Sequence, residues 1–181
     1  ISCAATRMFL NSICMYPLLV GQQTDLYKCI ITNCFDLKSN KGQVGLVHPD
    51  EIFTDAKGKA FRTSVYHKIR YRFQYDNILK LFAEVHAEKG FDIVIYGEDK
   101  DDIQFDSISN VYHPSTIDLC YAHDGIGICN GIDRLNQTSI NKQTAHKNRI
   151  IRYNKDLLTL IGKVFENTSE WESVKPISIH S

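Results

Sequence analysis

Hydrophobic and polar positions change period several times along this chain. In "KIRYRFQYDN", residues 68 to 77, Arg70, Arg72 and Gln74 alternate with Tyr71, Phe73 and Tyr75. A period of two predicts a strand with unlike faces. Basic residues interleaved with aromatics are also the composition of a groove for single-stranded nucleic acid. The alternation alone leaves both readings open.

Two other stretches are apolar without alternation: Val44 to Val47 in "QVGLVHPD", stopped by Pro49, and "FDIVIYG", ending at Gly97. Continuous runs of this length predict strands buried on both faces, as in a parallel sheet covered by helices. Upstream, "TDLYKCIITNCFDLKSNKG" puts Leu26, Ile30, Cys34 and Leu37 on one helical face. Thr24 is placed to cap that helix, Asp25 lies in its first turn, and Gly42 closes the segment. "DEIFTDAKGK" reads as a loop, the stretch from Ala60 to Lys68 as a helix, and "NILKLFAEVHAEKG" as a helical turn or loop. Helix, buried strand, helix, alternating strand, buried strand is half of an α/β sheet, its last three strands.

Beyond residue 98 the texture changes. "EDKDD" is a charged run, "HPSTIDLCYAHDGIGICNGIDRLNQ" is punctuated by glycine, and "TAHKNRIIRYNKDLLTLIGKVFEN" ends in a helical pattern. The expected organisation is a sheet-bearing unit over residues 1–98 and an extension over 99–181.

Composition changes this picture in a few places. The 181 residues, 43% hydrophobic and 23% charged, suit one domain or one and a fragment of another. Formal net charge is zero, so attraction to nucleic acid must come from local clusters. No apolar run approaches the roughly 20 residues of a membrane span. The N-terminal "ISCAATRMFLNSICMYPLLVG" lacks the basic start of a signal peptide, so a cytoplasmic protein without a membrane partner is expected. A chain that begins at Ile1 in mid-pattern also reads as a piece of something larger. The six cysteines, at 3, 14, 29, 34, 120 and 129, lack a disulfide-framework spacing and are expected as buried free thiols.

Four groups of residues invite chemistry. Cys120, His123 and Cys129 are metal-ligand types, but no Cys-x-x-Cys or His-x-x-x-His spacing supports zinc. Gly125, Gly127 and Gly131 fall one residue off the dinucleotide spacing and follow no clear strand, so a loop is expected. Glu98-Asp99-Lys100 imitates the acid-x-Lys end of a restriction-type nuclease, where carboxylates hold a divalent cation. It opens a run of five charges, the composition of a solvated turn, and its sequence-near carboxylates are Asp76, Asp92 and Asp99. Lys57, Lys59, Arg62, Arg70 and Arg72 form a basic cluster. Ligands of open α/β sheets sit at the carboxyl ends of strands, which places Lys57, Lys59 and Arg62 for a DNA phosphate backbone. A non-catalytic DNA-binding module and a divalent-metal nuclease are thus the alternatives to the reading that follows.

Residues 20 to 97 resemble the second half of the catalytic domain of bacterial adenine-specific DNA methyltransferases of the large restriction-modification and phage-exclusion type. The resemblance lies in the order of "DLYKCII", "GLVHP", a helix beginning Phe61-Arg62, and the "LF" and "FDIVIYG" segments. It implies a partial Rossmann-like sheet whose last strand, Phe91 to Tyr96, runs antiparallel between Val44–Val47 and Tyr71–Tyr75. It also implies that Tyr71–Tyr75 is an edge strand, with its aromatics in the core and Arg70 and Arg72 in solvent. "HKNRIIRYNKDLLTLIGKVFE" is similar to the linker toward a target-recognition region.

That family binds S-adenosylmethionine at an acidic-x-Gly-x-Gly turn and holds the target amine with an Asn/Asp-Pro-Pro-aromatic tetrapeptide. Neither is present here: the prolines stand at 17, 49, 114 and 176, none adjacent. The resemblance therefore implies no catalytic residue and no cofactor for this chain alone, with S-adenosylmethionine and double-stranded DNA bound by the intact parent. Expected partners are the rest of the same polypeptide or restriction-system subunits. What it leaves to these residues is the far wall of the flipped-base pocket, with Tyr96, Phe82 and Phe91 as the stacking candidates.

Overall fold

The computed structural model describes residues 3–23, 25–87, 89–129 and 145–177. Thr24 and Gly131 lie outside the described residues. The helices are α1 (Cys3–Leu10), α2 (Leu26–Leu37), α3 (Glu51–Thr54), α4 (Lys59–Tyr66), α5 (Ser115–Ala122) and α6 (Lys155–Ile161). The strands are β1 (Val44–Pro49), β2 (Ile69–Asp76), β3 (Gly90–Tyr96), β4 (Gln104–Val111) and β5 (Ile151–Asn154).

The strands form one mixed sheet in the order β1-β3-β2-β4-β5. β3 runs antiparallel to both β1 and β2, β2 and β4 are parallel, and β4 and β5 are antiparallel. The count corrects the expectation of three strands. "IQFDSISNV" and "IRYN" pair into the same sheet, which therefore continues past residue 98.

Burial follows the pleat. On one face Leu46, Val94, Tyr96, Phe105 and Tyr153 meet Cys29 and Ile31 of α2, Phe53 of α3, Phe61, Val65 and Tyr66 of α4, and Leu158 of α6. Each such side chain contributes about 1.5–3 kcal/mol on burial, which outweighs the weak helix propensity of "KAFRTSVY". On the other face Tyr75, Phe91, Ile108 and Val111 close against Cys120 of α5.

Three facing expectations are corrected. β2 is interior, because β4 occupies its second side; the edges are β1 and β5, and the residues of β1 alternate between half-buried and exposed up to His48. Arg72 and Gln74 are buried, whereas Tyr71 is 43% exposed. The reversal has two causes. β3 supplies Asp92 as a buried counter-ion for Arg72, and Tyr71 stands at the row end of Ile95 and Asp106, away from the cluster that packs under α5. A bulge between Ile69 and Tyr71 takes Arg70 out of the alternation altogether. On α2 the buried residues are Lys28, Cys29, Ile31 and Thr32, so the stripe of Leu26, Ile30 and Leu37 points outward instead of forming the core face. All six cysteines are free, and Cys29 and Cys120 are buried as expected, but Cys3 and Cys14 are exposed.

Candidate functional site

β1 ends at Pro49, and Asp50 and Glu51 lead directly into α3. Beside this carboxyl end, the chain returning from β2 to β3 makes a 3-10 turn (Asn77–Leu79) and turns over at Lys80, whose φ of 50° is left-handed. Between the two lies a hollow of about 630 Å³, lined by Val47, His48, Pro49, Asp50, Glu51, Phe82, Val85, Lys89, Gly90 and Phe91. Its aromatic wall is Phe82 set edge-on against Phe91, ring centroids 5.0 Å apart. Phe91 in turn stacks on Tyr75 at 5.0 Å, which fixes it from behind. Asp50 brings its carboxylate over Gly90, where any Cβ would collide with Oδ2.

A polar row runs beneath the hollow. His48, Asp92 and Gln74 are paired across β1, β3 and β2, and all three are buried. His48 Nδ1 donates to the Pro49 carbonyl at 2.9 Å, so Nε2 accepts from the Tyr96 hydroxyl at 2.8 Å. Burial lowers its pKa to about 4, against the raising effect of the Pro49 carbonyl, so the ring is neutral at pH 7. Asp92 is fully buried, and desolvation pushes its pKa up to about 7 despite the opposing charge of Arg72. Arg72 Nη2 lies 3.1 Å from Asp92 Oδ1. The pair is close but poorly aligned, for neither Asp92 oxygen meets a donor in hydrogen-bonding geometry. Tyr27 stacks on His48 at 6.1 Å, and burial, then Asp25 and Glu51, raise its phenol pKa.

The hollow thus offers an apolar, partly aromatic slot with carboxylates at its mouth, suited to a flat ring whose edge carries N–H donors. His48 was not singled out from sequence, and Asp92 was named only as a carboxylate near the nuclease-like triplet. Their signal was present: each is a polar residue inside an otherwise apolar strand, a placement that demands a buried partner.

The structure brings Phe82 and Phe91 together in this slot but does not bring Tyr96 to it. Tyr96 is 0% exposed, held between Phe35 at 5.2 Å and His48 at 6.2 Å. With no free ring face it is a core residue, and the expectation that it stacks on a base is corrected. Arg62 is corrected likewise: it is buried, donating to the carbonyls of Asp55 at 2.9 Å and Ser173 at 2.6 Å. It fastens the C-terminal segment to α4 and cannot reach a phosphate. Lys59 is exposed and ion-paired with Glu170. Lys57 is exposed at the rim of a second hollow of about 660 Å³, shared with Asp25, Lys28, Glu51 and Asp55.

The remaining chemistry-bearing residues lie apart. Asp99 pairs with Lys68 at 2.7 Å, Arg70 donates to the Glu98 carbonyl, and the Lys100 carbonyl meets His67. The rings of His123 and His146 approach to 4.3 Å beside Cys120. In both rings Nδ1 accepts a backbone N–H, from Gly125 at 2.9 Å and Asn148 at 3.1 Å. A neutral ring so engaged carries its proton on Nε2 and has no lone pair for a metal. Among the described residues no group of three or more His, Cys, Asp or Glu is arranged to hold a metal ion. Nor is any described helix long and apolar enough to cross a membrane.

The fold and site define a class: an α/β protein with a five-stranded mixed sheet, flanking helices and an aromatic slot at the carboxyl end of the edge strand β1. The sequence matches no protein-family model and no curated protein.

Proposed function

We propose that this chain is the C-terminal part of the catalytic domain of an adenine-specific DNA methyltransferase from a restriction or phage-defence system, and that it supplies the outer wall of the flipped-base pocket. The observation that carries the reading is the slot of Phe82 and Phe91 beside the carboxyl end of β1. The insertion of β3, antiparallel, between β1 and β2 supports it, being the strand order implied by the resemblance.

In this reading the parent is a cytoplasmic enzyme that binds double-stranded DNA and S-adenosylmethionine. The 181 residues contain neither the cofactor turn nor the amine-holding tetrapeptide, so no methyl-transfer step belongs to this chain alone. Its own part is to stack and enclose the base while the rest of the parent polypeptide orients the amine. Stacking on one aromatic is worth about 1–3 kcal/mol per base. The test is Phe82→Ala in the intact parent. Methylation should fall by that amount, roughly 5- to 150-fold, with the folded fraction unchanged. Full activity in a folded Phe82→Ala enzyme would refute the assignment.

A further inference from the structure

Asn77 stands where β2 gives way to the return loop, and it is 0% exposed. Its whole amide is spent on one segment. Nδ2 donates to the carbonyls of Phe82 at 2.9 Å and Val85 at 2.8 Å, and Oδ1 accepts from the Phe82 N–H at 3.1 Å. Its backbone N–H reaches the Lys89 carbonyl at 3.3 Å, and its carbonyl accepts from Lys80 N–H at 2.8 Å. One residue therefore ties down the start, the middle and the end of the return loop.

Burial does not do this job. Leu81, Phe82 and Val85 are all exposed, so the loop has little apolar surface with which to anchor itself. The pinning requires an amide: a carboxylate has no donor for the two carbonyls, and an aliphatic side chain would leave the Phe82 N–H and the Val85 carbonyl unpaired, while the Phe82 carbonyl would keep only the Val85 N–H at 3.1 Å. We infer that Asn77 is the positioning residue of the slot, setting the height and direction of Phe82 over Phe91 and so the width available to a flat ring. The inference rests on the base-binding reading for its ligand, but the pinning itself can be tested without one.

The first measurement needs no variant. The Phe82 amide, on an exposed residue, should exchange with solvent at least about tenfold more slowly than an unstructured amide, because Asn77 Oδ1 holds it. Exchange at the free-peptide rate overturns the inference. The second, made in the intact parent, uses Asn77→Asp, which keeps the acceptor and removes both donors, with adenosine as the probe of the slot. Adenosine affinity should fall as far as it does in Phe82→Ala, and the double variant should be no weaker than either single one. Additive losses would mean that Asn77 acts elsewhere, and would overturn the inference. Failure of the intact parent to bind adenosine, with the Phe82 amide protected, refutes the base-binding reading and leaves the pinning standing.

Discussion

Replacing Asp92 by asparagine should leave the fold unchanged near pH 4 and stabilise it above pH 8. The Arg72 side chain is 3% exposed, its Nη2 is 3.1 Å from Asp92 Oδ1, and its guanidinium carbon lies 4.4 Å from the Phe53 ring centre. A carboxyl whose pKa is raised from 3.8 to about 7 is disfavoured as the anion even beside Arg72, by roughly 4 kcal/mol, and an amide is spared that cost. With a urea slope of about 2 kcal/mol per molar, the variant's unfolding midpoint should match the wild type's near pH 4 and exceed it by roughly 2 M above pH 8. Replacing both groups, Arg72→Met with Asp92→Leu, should do at least as well, since apolar side chains of similar volume carry no desolvation penalty. The pH dependence separates the carboxylate from its neighbour. The folded pKa of Asp92, about 7, lies above its ordinary value of 3.8, so its contribution is full below about pH 4 and is lost as pH rises through 7. His48, lowered from 6.5 to about 4, runs the other way: its contribution is full above about pH 6.5 and is lost as pH falls through 4. The two slopes oppose each other over the same window and flatten the wild-type profile. Asp92→Asn removes one of them, so the variant's stability should rise with pH between about 4.5 and 6.5. Urea melts followed by the single tryptophan, Trp171, read both effects. An Asp92→Asn midpoint below the wild type's at pH 8, or a flat profile for that variant, would refute the reasoning.

Tyr96→Phe should cost about 1 kcal/mol through the lost bond to His48, and Tyr96→Ala about 3–5 kcal/mol through a cavity. In the parent, activity should then fall only in step with folded protein, as a melt run beside a methylation assay would show. Arg62→Ala should destabilise by about 2–3 kcal/mol, the worth of bonds from a charged donor, and free the C-terminal segment to proteolysis. Lys59→Ala should leave the melting temperature unchanged, because its ion pair with Glu170 is exposed and screened. The His48 ring resonances should not titrate between about pH 5.5 and 8, the range in which an unperturbed histidine changes charge; titration there would mean that the ring is solvated.

The positions of α2, β1, α4, β2 and β3 were legible because β2 alternates, β1 and β3 are short unbroken apolar runs, and α2 and α4 carry helical spacing between turn residues. Facing was not. Period two states that Arg72 and Tyr71 point opposite ways; which side is dry depends on Asp92, twenty residues later, and on β4, which the charged run before it disguised. On α2 the apolar spacing of Leu26, Ile30 and Leu37 is real but looks away from the sheet, while Lys28 is buried against Asp25 and Asp55 at 3.5 and 3.1 Å. Pairings distant in sequence thus override the local pattern. The same cause divides the site. Phe82 and Phe91 could be singled out as aromatics near the last strand, whereas the burial of Tyr96 depends on Phe35 and His48, which arrive from two other elements.

β1 leaves the backbone groups of its outer side without a strand partner among the described residues, and Val47 beside them is exposed. Pro49 blunts only its last position, and no charged side chain stands on the strand. Sheets extend by templating, so such an edge recruits any extended segment that meets it. For the isolated chain this makes shelf life, rather than folding, the quantity that concentration controls. Loss from solution should follow the frequency of collisions, and a lysine at position 47 should slow it while leaving the melting temperature in place.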